Sequence, residues 1–164
     1  MRVVLDTNIL ISALMIRLGS PAAIYRAWQE GRFTLLTCAE HLDELRATLR
    51  KPAIAERIKP YKAGALVNEM KKLAESVDAL PRVRRSPDPT DDFLLALSEA
   101  GGADYLVTGD KSGLLKLEHH KETRIVSARA FAALFGWASR SSEQRDLLPG
   151  WLVTAQEDGS RGCR

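Results

Sequence analysis

Short apolar runs of strand length alternate with longer runs of helical period from the first residues to about Gly136, and this alternation limits the fold more than any other feature. Val3-Val4-Leu5 is too short for a helix and gives way at once to Ile9, Leu10, Ile11, Leu14 and Met15 at helical spacing. RFTLLT, DYLVTGD and TRIVS repeat the strand pattern further along, each separated from the last by helical sequence. Strands joined through helices run parallel, because the helix returns the chain to its starting side, and a parallel sheet is covered on both faces. The expected fold class is therefore α/β, a three-layer α/β/α sandwich with a central parallel sheet.

Turn and cap residues divide the helices. Ser20-Pro21 predicts a helix start with Ser at the N-cap, and Gly31 a stop just past Glu30. TCAE predicts a capping box in which Thr37 and Glu40 open a helix that carries Leu42, Leu45 and Leu49 and stops near Pro52. A helix over about Pro60 to Glu75 follows from Leu66, Met70 and Leu73, and VDALPRVRRSPDPT reads as a connection. DDFLLALSEAGG has acids in its first turn and a glycine stop, and ARAFAALFG is bounded by Ser127 and Gly136.

With 164 residues, 45% of them hydrophobic, the chain suffices for one core and not two. Residues 1–136 are expected to form the domain and residues 137–164 a tail, partly disordered or docked through Leu147, Leu148 and Trp151. The 24 Lys and Arg against 21 Asp and Glu give a net charge of +3, too mild to demand a nucleic-acid partner. No run approaches the roughly 18 apolar residues of a membrane span and no signal pattern opens the chain, so the expected location is the cytoplasm. Cys38 and Cys163 read as free thiols.

Two strands end in acids, VVLD at Asp6 and YLVTGD at Asp110, and DPTDD stands just before the helix that leads into the second. Ligands of open α/β sheets bind beyond the carboxyl ends of the strands, so neighbouring strands would bring Asp6, Asp92 and Asp110 into one pocket. Carboxylates gathered there repel one another unless a cation lies between them, and acids with Asn and Thr nearby suit Mg²⁺ or Mn²⁺. Water bound to such an ion is a nucleophile for phosphodiester hydrolysis.

These stretches resemble the PIN-domain family, in particular its VapC-type, toxin-like branch of small ribonucleases. The similarity is carried by VVLDTNILISAL, HLDELRATLRKP, DPTDDFLLALSEAGGADYLVTGDKSGLL and IVSARAFAALF, and spans Met1 to about Gly136. It implies a Mg²⁺- or Mn²⁺-dependent endoribonuclease with four acids serving as metal ligands and catalytic groups: Asp6, Glu44, Asp92 and Asp110. Thr7, Asn8 and Thr108 would support them by hydrogen bonding. It further implies an RNA substrate, a small antitoxin partner that covers the site, and a homodimer. The branch commonly has a further acid soon after the TGD aspartate, where this chain has Ser112-Gly113.

Plainer roles stand beside these. Asp6 could cap the following helix, and Glu44 lies opposite Leu42, Leu45 and Leu49, as a solvated residue would. Asp91 and Asp92 both suit a first turn; family spacing selects Asp92 and leaves Asp91 as an exposed acid or one that supports the ligands from behind. Asp88 reads as a turn residue between prolines, His119-His120 as a solvated loop, and Ile24, Tyr25 and Trp28 as core or dimer interface. Arg46, Arg50, Lys51, Arg82, Arg84 and Arg85 are either solvated or RNA contacts, so the residues that bind substrate stay unknown. The functional alternatives are a non-catalytic RNA-binding protein of the same fold, an RNA-processing nuclease unrelated to toxicity, and a phosphatase with an aspartyl nucleophile. The last wants a second Asp two residues after the first, where this chain has Asn8.

Overall fold

The alternating runs form a six-stranded sheet with seven α-helices over residues 1–137, the part that the computed structural model describes. In chain order these are β1 (Arg2–Leu5), α1 (Thr7–Met15), α2 (Ser20–Gln29), β2 (Thr34–Thr37), α3 (Ala39–Leu49), α4 (Pro52–Ala55), α5 (Pro60–Leu73) and β3 (Glu75–Ser76). There follow α6 (Asp92–Gly101), β4 (Tyr105–Val107), β5 (His119–His120), β6 (Thr123–Val126) and α7 (Ala128–Leu134). Short 3-10 turns at Pro89–Asp91 and Leu114–Leu117 precede α6 and β5. The expected tail lies, beyond Trp137, outside the described residues.

The strand order is β3-β2-β1-β4-β6-β5, with every pairing parallel except β5 with β6. The α/β/α class expected from the alternation is the observed one. Successive side chains of a strand point to opposite faces, and the core divides accordingly. Val3, Leu5, Leu35 and Val107 pack with Leu10, Ile24, Trp28, Leu45, Leu66, Met70 and Phe131 from the helices of one layer. Val4, Leu36, Leu106 and Ile125 pack with Leu94, Leu95 and Leu97 of α6 and with Leu114 in the other. That second layer approaches closely: a Cβ at Gly101 would lie 2.6 Å from Leu36 Cδ1, so only glycine fits without a shift.

Local chemistry overrides two of the expected details. Gly19, at φ 110°, occupies the N-cap of α2 and Ser20 is its first residue, because the chain enters through a conformation that only glycine adopts freely. The capping box of Thr37 and Glu40 does not form; Thr37 completes β2 and Cys38 stands at the N-cap without a side-chain bond. β3 and β5, two residues each, have no periodic signature to read. Ser127 does cap α7, accepting from Ala130 N at 3.1 Å, and Gly102 ends α6 at φ 59°. Ile24 and Trp28 are core and Cys38 is a buried free thiol. Among the described residues no single helix is long and apolar enough to cross a membrane.

Candidate active site

The chain runs from β1 outward to β2 and β3 on one side, while β4, β6 and β5 lie on the other, so the strand order reverses between β1 and β4. Loops leaving the carboxyl ends of such a pair diverge and open a crevice. Asp6 follows the last residue of β1, and its N–H donates to Val107 O at 2.9 Å, which fixes it beside the end of β4. Thr108, Gly109 and Asp110 leave β4 from that point.

Asp6 is 6% exposed and its carboxylate is held on both sides. Oδ2 accepts from Thr108 Oγ1 at 2.7 Å, and Oδ1 accepts from Asn8 N at 3.3 Å, so the acid also caps α1. Burial pushes its pKa up; the bond from Thr108 opposes that rise, and the charge of Asp110 adds to it. Thr108 is fully buried and uses its hydroxyl twice, since Asp110 N also donates to it at 3.1 Å.

Asp110 is held differently. Oδ1 accepts from Ser112 N, Ser112 Oγ and Gly113 N at 3.0, 2.9 and 3.0 Å, and Oδ2 from Leu114 N at 3.3 Å. These donors, with the Ser112 hydroxyl the strongest, hold its pKa below the usual carboxylate range. A Cβ at Gly113 would overlap the Asp110 carboxylate, so the Ser112-Gly113 pair found in place of a further acid is what lets the turn close around Asp110.

DPTDD supplies the third wall. Asp88 Oδ1 accepts from Thr90 N and Oγ1 at 2.9 and 2.8 Å, a turn closed as expected, and the chain then passes through the 3-10 turn into α6. The two acids at that entry diverge because adjacent helical residues point about 100° apart. Asp91 shares its face with Leu94 and Ser98, which pack toward the sheet, and it lines the cleft. Asp92 shares its face with Ala96 and Glu99 and turns away, its Oδ1 accepting from Arg85 N and Ser86 N at 3.0 and 2.7 Å. The cleft, about 480 Å³, is lined by Asp6, Asn8, Pro87, Asp88, Asp91, Asp110, Ser112 and Gly113. Asp92 is not among its walls. Asp91, which family spacing does not select, carries one signal in the sequence: only one of two neighbouring acids can share the face of Leu94 and Ser98.

Glu44 stands at the edge. Thr7, 2% exposed, donates from Oγ1 to Glu44 Oε2 at 2.5 Å, which draws that acid toward the end of β1 and not into open solvent. Burial and the charges of Asp6, Asp88, Glu44 and Asp110 together push the Asp91 carboxyl up to about 6. So much negative charge around one cleft calls for a cation, and the donors are hard oxygens suited to Mg²⁺ or Mn²⁺. Among the described residues no three such side chains stand close enough to clasp one ion between them. Mg²⁺ keeps several waters and binds through one or two carboxylates, so the donor set fits an ion held partly through water by Asp6, Asp91 and Asp110.

The histidines and the thiol lie apart from this chemistry. His120 is buried against Glu99 in β5 and is no solvated loop residue, while His119 beside it is exposed. His41 is wholly buried and burial lowers its pKa to about 4, so it is neutral. Burial raises the Cys38 thiol to about 11, which excludes a thiolate there.

A PIN domain family model matches residues 2–112, which include Asp6, Glu44, the DPTDD acids and Asp110. The chain belongs to the PIN domain family. No curated protein matches it. PIN domains are nuclease-type domains that generally depend on divalent metal ions, so a hydrolytic activity of that broad kind attaches to this PIN domain. The cleft at the strand reversal lies within the matched stretch, and its acids come from three separate parts of the chain.

Proposed function

We propose that this PIN domain is a Mg²⁺- or Mn²⁺-dependent endoribonuclease and the toxin of a type II toxin–antitoxin pair. The observation that supports the nuclease reading is the convergence of Asp6, Asp91 and Asp110 on one cleft at the reversal of strand order. When bound there, the ion would supply an acidic water as nucleophile and neutralise charge developing on the scissile phosphate. Asp6 would hold it from the floor, with Thr108 and the Asn8 N–H keeping that carboxylate aimed outward. Asp110 arrives already ionised by its own turn. Asp91, raised to about 6 in the metal-free cleft by burial and its acidic neighbours, would ionise beside the cation and help hold it. Glu44, fixed through Thr7, adds negative charge at the edge.

RNA needs cations to approach such a cleft. Arg82 and Arg84 lie in the segment leading to Asp88 and make no side-chain hydrogen bond or ion pair among the described residues, which makes them the first candidates for phosphate contacts. The toxin role, the antitoxin and the homodimer rest on the likeness to the toxin-like branch. Exposed Ile16, Leu18, Leu134 and Phe135 supply apolar surface for partners. A non-catalytic RNA-binding role is the second reading, favoured by the absence of a tight three-ligand cluster among the described residues. The deciding test is cleavage of a panel of structured RNAs with Mg²⁺, Mn²⁺ or EDTA, alongside Asp6→Asn and Asp91→Asn. Cleavage lost in EDTA and in both variants supports the nuclease; RNA binding without cleavage in any metal supports the second reading.

A further inference from the structure

The connection over residues 77–88 has neither helix nor strand, yet it delivers Pro87 and Asp88 to the cleft. Asp92 Oδ1 takes the N–H groups of both Arg85 and Ser86. The Arg85 guanidinium, in turn, donates from Nη1 to His119 O at 2.9 Å and faces His120 Nδ1 at 3.2 Å. A guanidinium only donates, so Nδ1 accepts; the ring proton therefore sits on Nε2, 3.1 Å from Glu99 Oε2. Lys121 pairs with the same Glu99. Asp92 and Glu99 lie two turns apart on one face of α6, so a single helix grips this connection directly through its backbone and indirectly through the Arg85 side chain.

We propose that Asp92 is a positioning residue that fixes the Arg85–Asp88 segment against α6 and thereby sets the cleft wall formed by Asp88 and Asp91. This rests on the metal-dependent nuclease reading. The family spacing would make Asp92 a metal ligand, but Asp92 is not among the cleft walls, and its Oδ1 serves two backbone donors while Oδ2 has no hydrogen bond among the described residues. The task needs one acceptor oxygen and no negative charge. Asparagine provides that oxygen; alanine does not. Asp91, by contrast, contributes its charge to the cleft, which asparagine removes.

The test compares Asp92→Asn, Asp92→Ala and Asp91→Asn in the full chain by two readouts. The first is Mn²⁺ affinity, from the electron paramagnetic resonance signal of the free ion. The second is trypsin cleavage after Arg84 and Arg85, mapped by mass spectrometry. Asp92→Asn is expected to bind Mn²⁺ as the wild type does and to keep its protection from trypsin. Asp92→Ala should bind about tenfold more weakly, the scale of losing a residue that orients ligands, and should be cut faster at both arginines. Asp91→Asn should lose Mn²⁺ while remaining protected. Loss of Mn²⁺ in Asp92→Asn with protection intact would make Asp92 a ligand and overturn the proposal. Unchanged protection in Asp92→Ala would overturn it as well. Should the wild type bind no Mn²⁺, the nuclease reading fails, and the cleavage pattern alone decides whether Asp92 fixes the segment.

Discussion

Asp6 and Asp110 stand just beyond the ends of adjacent parallel strands and share Thr108, yet their surroundings push them in opposite directions. Asp6 is buried with two donors, and its pKa is raised; Asp110 is only half-buried, with four donors from its own turn, and its pKa is lowered. Topology fixes where an acid stands, and the donors within reach decide whether it is charged on its own. The β4 end supplies an anion that the fold itself stabilises. The β1 end supplies one that folding disfavours, and a cation is its natural counterpart.

The sharpest way to break this contrast is to remove each acid and read activity and stability together. Asp6→Asn and Asp110→Ala should each lower RNA cleavage by about 10³-fold, the scale of losing a principal electrostatic group. Their melting temperatures without metal should diverge. Asp6→Asn removes a desolvated charge while keeping an acceptor for Thr108, so the metal-free protein should be as stable as the wild type or more so. Asp110→Ala orphans the N–H groups of Ser112, Gly113 and Leu114 and should cost about 1–3 kcal/mol. Equal destabilisation by both, measured by urea unfolding, would show that the two strand ends are electrostatically alike.

Gly113→Ala attacks Asp110 without touching a carboxylate. The new Cβ would occupy the volume of the Asp110 side chain, so the acid must rotate out or the turn must open. We expect about 1–3 kcal/mol of destabilisation, the usual cost of overpacking, and a loss of cleavage in proportion to the displaced acid. Wild-type activity in this variant would mean that Asp110 needs no fixed orientation.

How much of this could be read beforehand follows from the range of each interaction. Asp6 and Asp110 are visible because an apolar strand ending on an acid is a local pattern, and the parallel fold then dictates which ends meet. Asp91 and Asp92, adjacent acids in a first turn, are equivalent until the buried face of the helix is known, here Leu94, Leu95 and Ser98. Glu44 has the pattern of a solvated residue on a helical wheel; its partner Thr7 lies 37 positions away, beyond any local pattern. His120 is hidden for the same reason, since Glu99 and Arg85 reach it from distant parts of the chain.

Thr108→Val sharpens the comparison at the one residue both acids share. Valine keeps the volume but neither donates to Asp6 nor accepts from Asp110 N. Mn²⁺ affinity should fall by about 10–100-fold, as when a group that orients a ligand is lost. The effect should run through Asp6, so Thr108→Val combined with Asp6→Asn should bind Mn²⁺ no more weakly than Asp6→Asn alone. Additive losses would assign Thr108 a separate role at Asp110.

The smallest effect expected is a pH dependence whose sign separates the two kinds of acid. Asp6 is raised and Asp91 stands at about 6, so between about pH 4 and pH 6 these two acids bind more protons in the folded, metal-free protein than in the unfolded chain, while buried His41, lowered to about 4, binds fewer. The stabilising contribution of the two acids is complete below the ordinary carboxylate pKa of about 4 and is lost as pH rises through about 6. Asp110 and Asp88 are lowered and behave in reverse: what they contribute is present above about pH 4 and disappears on further acidification. Between the two limits the raised pair weakens the fold as pH rises and neutral His41 strengthens it, so the share of the cleft is read as the difference between the wild type and Asp91→Asn. Without metal, the stability of the wild type relative to Asp91→Asn should fall from pH 4.5 to pH 6.5, about the span of that window, while the gain of the wild type on adding Mn²⁺ grows because ligation requires the same acids to ionise. A difference that stays flat or rises over this window would mean that the Asp91 carboxyl is not raised, and crowded charge would no longer explain why the cleft calls for a cation.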